Sequence, residues 1–357
     1  MSDGIHTIDV RGVDSAGNVG AAGQTKAYID RTPPTLDSLS VVPPDWTNQK
    51  TVILSWKGAK DNLSGLKEIA YAVDNGSYQA LTVSEDGSVT INVENLSDGE
   101  HSALLKLTDN AGVSVAYQAW ICIDRSDPII TSITPDPASW TSQDILLLRW
   151  TGVRDEGSGV KQIAWSLDSG EKTAAVYVEN SYCRVDASEL TDGPHSMVLY
   201  VEDNLGYHTE ESTTIYIDRT PPVVEAWDIT PAKWNHETKA TLSWQGVMDE
   251  SSGLKEINYQ IDEEDAVLLS LQKNGEATVD TSSLEDGEHT FTFAVTDQAG
   301  VTVEYTETLY IDRTPPTIEE ASVFPNTWAG TNTLEVLWKE AADAHSGLNA
   351  VEYSLEL

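Results

Sequence analysis

Residues 51–57 read Thr51-Val52-Ile53-Leu54-Ser55-Trp56-Lys57. Successive side chains of an extended strand point to opposite faces, so Val52, Leu54 and Trp56 form one apolar row. The row returns as Leu146, Leu148 and Trp150, and again as Ala240, Leu242 and Trp244. Working outward, Trp46, Trp140, Trp234 and Trp328 keep an interval of 94 residues, as do Gly65, Gly159, Gly253 and Gly347, and Asp30, Asp124, Asp218 and Asp312. A fixed interval of this kind marks tandem modules. With boundaries at the Pro-Pro or Asp-Pro that follows each Asp-Arg, complete repeats run 33–126, 127–220 and 221–314. Residues 1–32 match only the last third of a repeat and 315–357 only its first half, so the chain reads as a slice of a longer array.

Other segments of the repeat alternate in the same way. Ile69, Tyr71 and Val73 follow Ser64-Gly65-Leu66 and end at Asp74-Asn75-Gly76, a sequence suited to a tight hairpin turn. His289, Phe291, Phe293 and Val295 follow Asp286-Gly287, and Leu309 with Ile311 closes the repeat. Helical periodicity is not evident. Roughly seven short strands per repeat predict an all-β chain of tandem immunoglobulin/fibronectin III-like β-sandwiches in an elongated array, with a small barrel as the alternative. A Trp on the second strand and a Tyr on the third favour the fibronectin-like variant. Leu96, Gly99 and His101 fall where such a domain turns into its penultimate strand, so a histidine takes the place of the tyrosine corner.

Charge excludes two broad roles. Acidic residues number 58 against 21 basic ones, a net charge of −37 that repels phosphate backbones and anionic lipid. No nucleic-acid partner and no membrane insertion is expected, since the densest apolar run is only Ile145-Leu146-Leu147-Leu148. The first residues, Met1-Ser2-Asp3-Gly4, have no signal-peptide pattern. The 11 Trp and 13 Tyr can fill cores, which separates the chain from disordered acidic tails. Cys122 and Cys183 sit at non-equivalent places, so no disulfide recurs with the repeat.

Asp-x-x-Ser-Gly-Leu-Lys-x-Ile-x-Tyr, a Val/Leu/Ile-Asp hairpin, Asp-Gly-x-His, Asp-x-Ala-Gly and Ile-Asp-Arg-Thr-Pro-Pro recur in register along the chain. Together they resemble the bacterial immunoglobulin-like tandem repeats of surface and secreted proteins, such as the leptospiral outer-membrane-type repeats and those upstream of Rhs/YD-repeat regions. Leu205-Gly206 and Ser126-Asp127-Pro128 depart from that pattern. The resemblance implies a cell-surface or extracellular spacer or adhesin segment within a longer array, and supplies no ligand.

An active site normally occurs once, whereas a device of the fold recurs. Asp98 with His101, Asp192 with His195 and Asp286 with His289 suggest acid–base chemistry in isolation, yet each occupies the same turn of its repeat. The preferred reading is a histidine that fills the corner and bonds backbone. No phosphate loop, nucleophile elbow or zinc spacing appears, so no enzyme is expected. Trp46 and its counterparts follow Pro-rich approaches, where an exposed aromatic could stack on sugar, but packing beneath the loop better suits a residue kept in every repeat. The middle repeat, with Trp165, Tyr177 and Tyr182, is the best candidate for a glycan or protein ligand.

Sandwich topology brings the loop after the second strand and the loop before the last strand to the pole where the chain enters. That gathers Asp30 with Asp61 and Asp109, Asp124 with Asp155 and Asp203, and Asp218 with Asp249 and Asp297 at successive junctions; Glu156 and Glu250 stand close by. Such carboxylate groups suit calcium between domains. Two other readings compete: salt bridges from Arg31, Arg125 and Arg219, or aspartates that cap their own turns. The function expected is a stalk that presents other domains, strands of about seven residues giving modules about 23 Å long before loops. The alternative is an adhesin-type binding module.

Overall fold

The computed structural model describes residues 1–328 and 330–356; the last residue of the stretch 315–357 lies outside them. The chain is all-β. A hairpin of β1 (Gly4–Val10) and β2 (Gly23–Ile29) comes first. Seven strands follow: β3 (Ser38–Val42), β4 (Thr51–Lys57), β5 (Leu66–Val73), β6 (Gln79–Leu81), β7 (Gly87–Asn92), β8 (Gly99–Asp109) and β9 (Ser114–Ile123). They form one sheet of order β3-β4-β7 and a second of order β6-β5-β8-β9. Neighbouring strands run antiparallel, as in a fibronectin III-like sandwich.

The arrangement returns twice. Strands β10 (Ser132–Asp136), β11 (Ile145–Thr151) and β14 (Ser181–Asp186) make one sheet, and β13 (Thr173–Ala175), β12 (Val160–Leu167), β15 (Gly193–Asp203) and β16 (His208–Ile217) the other. Strands β17 (Ala226–Thr230), β18 (Lys239–Gln245) and β21 (Gly275–Asp280) pair in that order, as do β20 (Val267–Leu268), β19 (Leu254–Ile261), β22 (Gly287–Asp297) and β23 (Thr302–Ile311). A hairpin of β24 (Thr317–Phe324) and β25 (Glu335–Ala342) comes last. The sheets do not fuse into the alternative barrel; the last strand of each set meets the loop after its first strand only through an isolated parallel bridge, such as Thr47 with Ile123. Two compact units are present, residues 1–133 with 150–181 and 198–212, and residues 134–149 with 182–197 and 213–357. The first contains the whole of β3–β9 and the second the whole of β17–β23.

The row Val52, Leu54 and Trp56 is buried while Ile53 on the other face is 42% exposed, so the period-two reading holds on β4. The row packs with Ile69, Leu105, Leu107, Ile121 and Ile123 from the opposite sheet. Each such side chain contributes roughly 1.5–3 kcal/mol by leaving water. Trp56 lies across Gly87, where a Cβ would sit 2.3 Å from the indole. Its Nε1 donates to Ser84 O, as Trp150 donates to Val178 O and Trp244 to Gln272 O. The turn after β5 differs from a simple Asn-Gly turn: the left-handed residue is Asp74, at φ 50°, and its equivalents Asp168 and Asp262 stand at 47° and 50°.

Phe293 is fully buried between Trp227 and Trp244. Phe293→Ala should lower the unfolding free energy of that sandwich by about 3–5 kcal/mol in denaturant titrations.

Candidate metal centre

Each of the three junctions is assembled from a linker and two loops. Asp30, Asp124 and Asp218 directly follow the last strand of one repeat, β2, β9 and β16. Asp61, Asp155 and Asp249 lie in the loop after the second strand of the next, and Asp109, Asp203 and Asp297 end its penultimate strand. The structure gathers the nine into three trios, in each of which one carboxylate oxygen per residue lies within 4.8 Å of the others. Asp109, Asp124, Asp203, Asp218 and Asp297 are buried, and Asp30, Asp61, Asp155 and Asp249 half-buried. Glu156, by contrast, turns to Arg154 at 3.3 Å.

Turn capping is real, and it uses part of each carboxylate. Asp61 Oδ1 accepts the Leu63 and Gly65 amides, Asp155 Oδ2 those of Gly157 and Gly159, and Asp249 Oδ1 that of Gly253. The linker aspartates bond forward: Ser64, Ser158 and Ser252 donate their amides to Asp30, Asp124 and Asp218 at 3.0, 2.7 and 3.0 Å. Asp109, Asp203 and Asp297 each accept turn amides on Oδ1. Their Oδ2 atoms are buried with no hydrogen-bond partner. A buried carboxylate oxygen without a donor is costly, which makes it the observation that fits a cation.

Two of the nine carboxyls carry the mark of clustered charge. Burial pushes the Asp155 carboxyl above its ordinary range, and the charges of Asp124 and Asp203 add to the rise. Asp297 is raised by burial and by Asp218 and Asp249, against the bond from Val301. Asp30 behaves differently: hydrogen bonds from Ser64 and Thr32 bring it down to about 2.

Arginine does not neutralise the trios. Arg125 donates Nη1 to Leu96 O at 3.0 Å and Nη2 to Val93 O at 3.1 Å, both in its own repeat and away from the junction. Arg219 reaches Leu190 O and Ala187 O in the same way, and Arg313 reaches Leu284 O and Thr281 O. Arg31 pairs with Asp3. Among the described residues no basic side chain forms an ion pair with any of the nine aspartates. Sequence spacing also left out a fourth, two-membered version: Asp312 accepts the Ser346 amide, Asp343 caps Gly347, and Asp312 Oδ1 is buried without a partner. Its signal was the 94-residue interval itself.

The other candidate residues are differently placed. His101 and His289 pair with Asp74 and Asp262, not with Asp98 and Asp286. Asp98 instead accepts the Ser126 hydroxyl and Asp286 the Arg313 amide, which is turn geometry at the linker. Trp140 and Trp234 are half-buried on Tyr216 and Tyr310, ring centroids 5.2 Å apart in both. Trp165 takes the half-buried place of Tyr71, while Tyr177 and Tyr182 are 46% and 54% exposed. Both cysteines are free thiols.

No protein-family profile matches the chain, and no curated protein does. Among solved structures it is similar to part of a 1.5-MDa bacterial ice-binding adhesin, 17% identical over 79% of this chain and 99% of that one at a TM-score of 0.40. It is also similar to a Ca2+-stabilized adhesin that helps an Antarctic bacterium bind ice, 17% identical over 86% of this chain and 82% of that one at 0.33. A tetra-tandem repeat from the extending region of a large adhesion protein is 20% identical over 87% of this chain and 82% of that one at 0.32. At such low similarity these likenesses assign no function.

Two substitutions probe the junctions. Because Asp297 is raised, its protonated form stabilises the folded chain, and that stability is lost as pH rises through the folded value, leaving a disfavoured charge at neutral pH. Asp297→Asn should therefore raise the melting temperature in chelator. Arg219→Lys should lower stability by about 1.5–3 kcal/mol in denaturant titrations, since an ammonium cannot span the carbonyls that the guanidinium bridges.

Proposed function

We propose that the chain is a non-catalytic spacer from a longer array of sandwiches in a bacterial surface or secreted protein, and that calcium ties its modules at the junctions. The modules are 33–126, 127–220 and 221–314, with partial ones at 1–32 and 315–357. One observation carries this reading: a three-carboxylate trio recurs at each junction with a buried oxygen that no protein group satisfies. Calcium takes several oxygen ligands in flexible geometry, and the linker aspartate together with the two loop aspartates would hold it. A bound ion would offset the repulsion of like charges and fix each linker to the loops of the next repeat. The net charge of −37 keeps such a segment soluble. Its place is the cell surface or the extracellular space, where its task is to hold other domains away.

A second reading, an adhesin-type binding module, is favoured by Tyr177 and Tyr182 alone, exposed in the middle repeat. A glycan array probed with the chain and with a Tyr177→Ala, Tyr182→Ala variant would reveal it as binding that the variant loses.

For the spacer reading, chelated chain titrated with calcium to about 1 mM, the range of extracellular calcium modules, should release or absorb heat and melt at higher temperature. Asp203→Asn and Asp297→Asn should reduce the number of sites. No heat and an unchanged melting temperature would leave turn capping as the role of these aspartates.

A further inference from the structure

The Asp-Gly-x-His motif plays no part in the metal centres, yet it is built to one plan in the first and third complete repeats. His101 Nδ1 lies 2.8 Å from Asp74 Oδ2, and its Nε2 lies 2.8 Å from Ser97 O. His289 repeats this with Asp262 at 2.8 Å and Glu285 O at 2.9 Å. His195 keeps the carbonyl bond, 2.7 Å to Thr191 O. A carboxylate and a carbonyl accept hydrogen bonds and donate none. A neutral imidazole has one N–H and one lone pair, so it would set that lone pair against one of its two partners. Only the imidazolium satisfies both at once.

We propose that each corner is a proton-operated latch, in which the protonated ring of His101 or His289 joins the left-handed turn after β5 or β19 to the corner that opens β8 or β22. The turn is held twice, because Ser102 and Thr290 donate their amides to the other oxygen of Asp74 and Asp262 at 2.9 and 2.8 Å. The corner matters beyond its own repeat. Val93 O and Leu96 O accept the linker guanidinium of Arg125, and Ser97 O accepts His101, so one short segment is pinned by both cations. Loss of the proton removes one of the two bonds made by the ring and loosens the segment on which the linker arginine rests.

The charged groups facing the rings are Asp74 and Arg125 for His101, and Asp262 and Arg313 for His289. Burial lowers both rings, and the arginines add to that. The bonds to the aspartate and the carbonyl, with the aspartate's charge, prevail and raise both above the ordinary 6.5. A raised histidine stabilises fully below 6.5, and its contribution is lost as pH rises through the folded midpoint.

Ring resonances of the whole chain, followed by NMR from about pH 5 to 9 across the histidine range, test the latch. His101 and His289 should titrate with midpoints above 6.5, and exchange of the Ser102 and Thr290 amides, corrected for intrinsic rate, should quicken across the same midpoints. Asp74→Asn and Asp262→Asn should lower the midpoints and remove the step in exchange. Midpoints at or below 6.5 in the unaltered chain, or exchange that is flat through the titration, would overturn the proposal even where the variants do not fold.

Discussion

The junctions depend on one dipeptide whose two side chains serve different repeats. Asp124 accepts the Ser158 amide ahead of it, while Arg125 donates to Val93 O and Leu96 O behind it. Asp218 and Arg219 do the same with Ser252 and with Ala187 and Leu190. A linker that bonds in both directions loses less freedom than a free tether, because its backbone is already ordered by the strand that precedes it. The division of labour has an electrostatic consequence. Arginine spent on backbone carbonyls is unavailable to the carboxylates next to it, and each trio keeps its like charges.

That arrangement is unfavourable unless something else enters. Asp203 and Asp297 are fully buried, each has an oxygen with no donor, and two more carboxylates stand within reach. Burial and neighbouring charge both favour a proton on Asp297, and a divalent cation would answer the same demand at neutral pH. The same turn amides that cap Asp61, Asp155 and Asp249 hold one oxygen of each in place, so capping and ion binding are compatible uses of one carboxylate rather than rivals.

Much of this was legible in the residues. Alternation in Thr51–Lys57 marks the strand, and the constant interval places the nine aspartates at equivalent loops, from which sandwich topology gathers them into trios. What was not legible depends on direction. The partner of His101 is Asp74 rather than Asp98, because Asp74 is in a left-handed turn that aims its carboxylate across to β8, whereas Asp98 turns to Ser126. Nothing in the Asp-Arg pair reveals that its arginine points backward; that follows from the carbonyls left open at the corner after β7. Asp312 with Asp343 falls outside the trio pattern because the chain carries two members there rather than three.

The most direct measurement is anomalous diffraction from crystals of the chain grown with calcium. One strong peak is expected within each of the three trios, about 2.3–2.6 Å from oxygens of the linker aspartate and both loop aspartates, with Arg125 and Arg219 still on the carbonyls behind them. Trios without a peak, or arginines swung into them, would contradict this expectation.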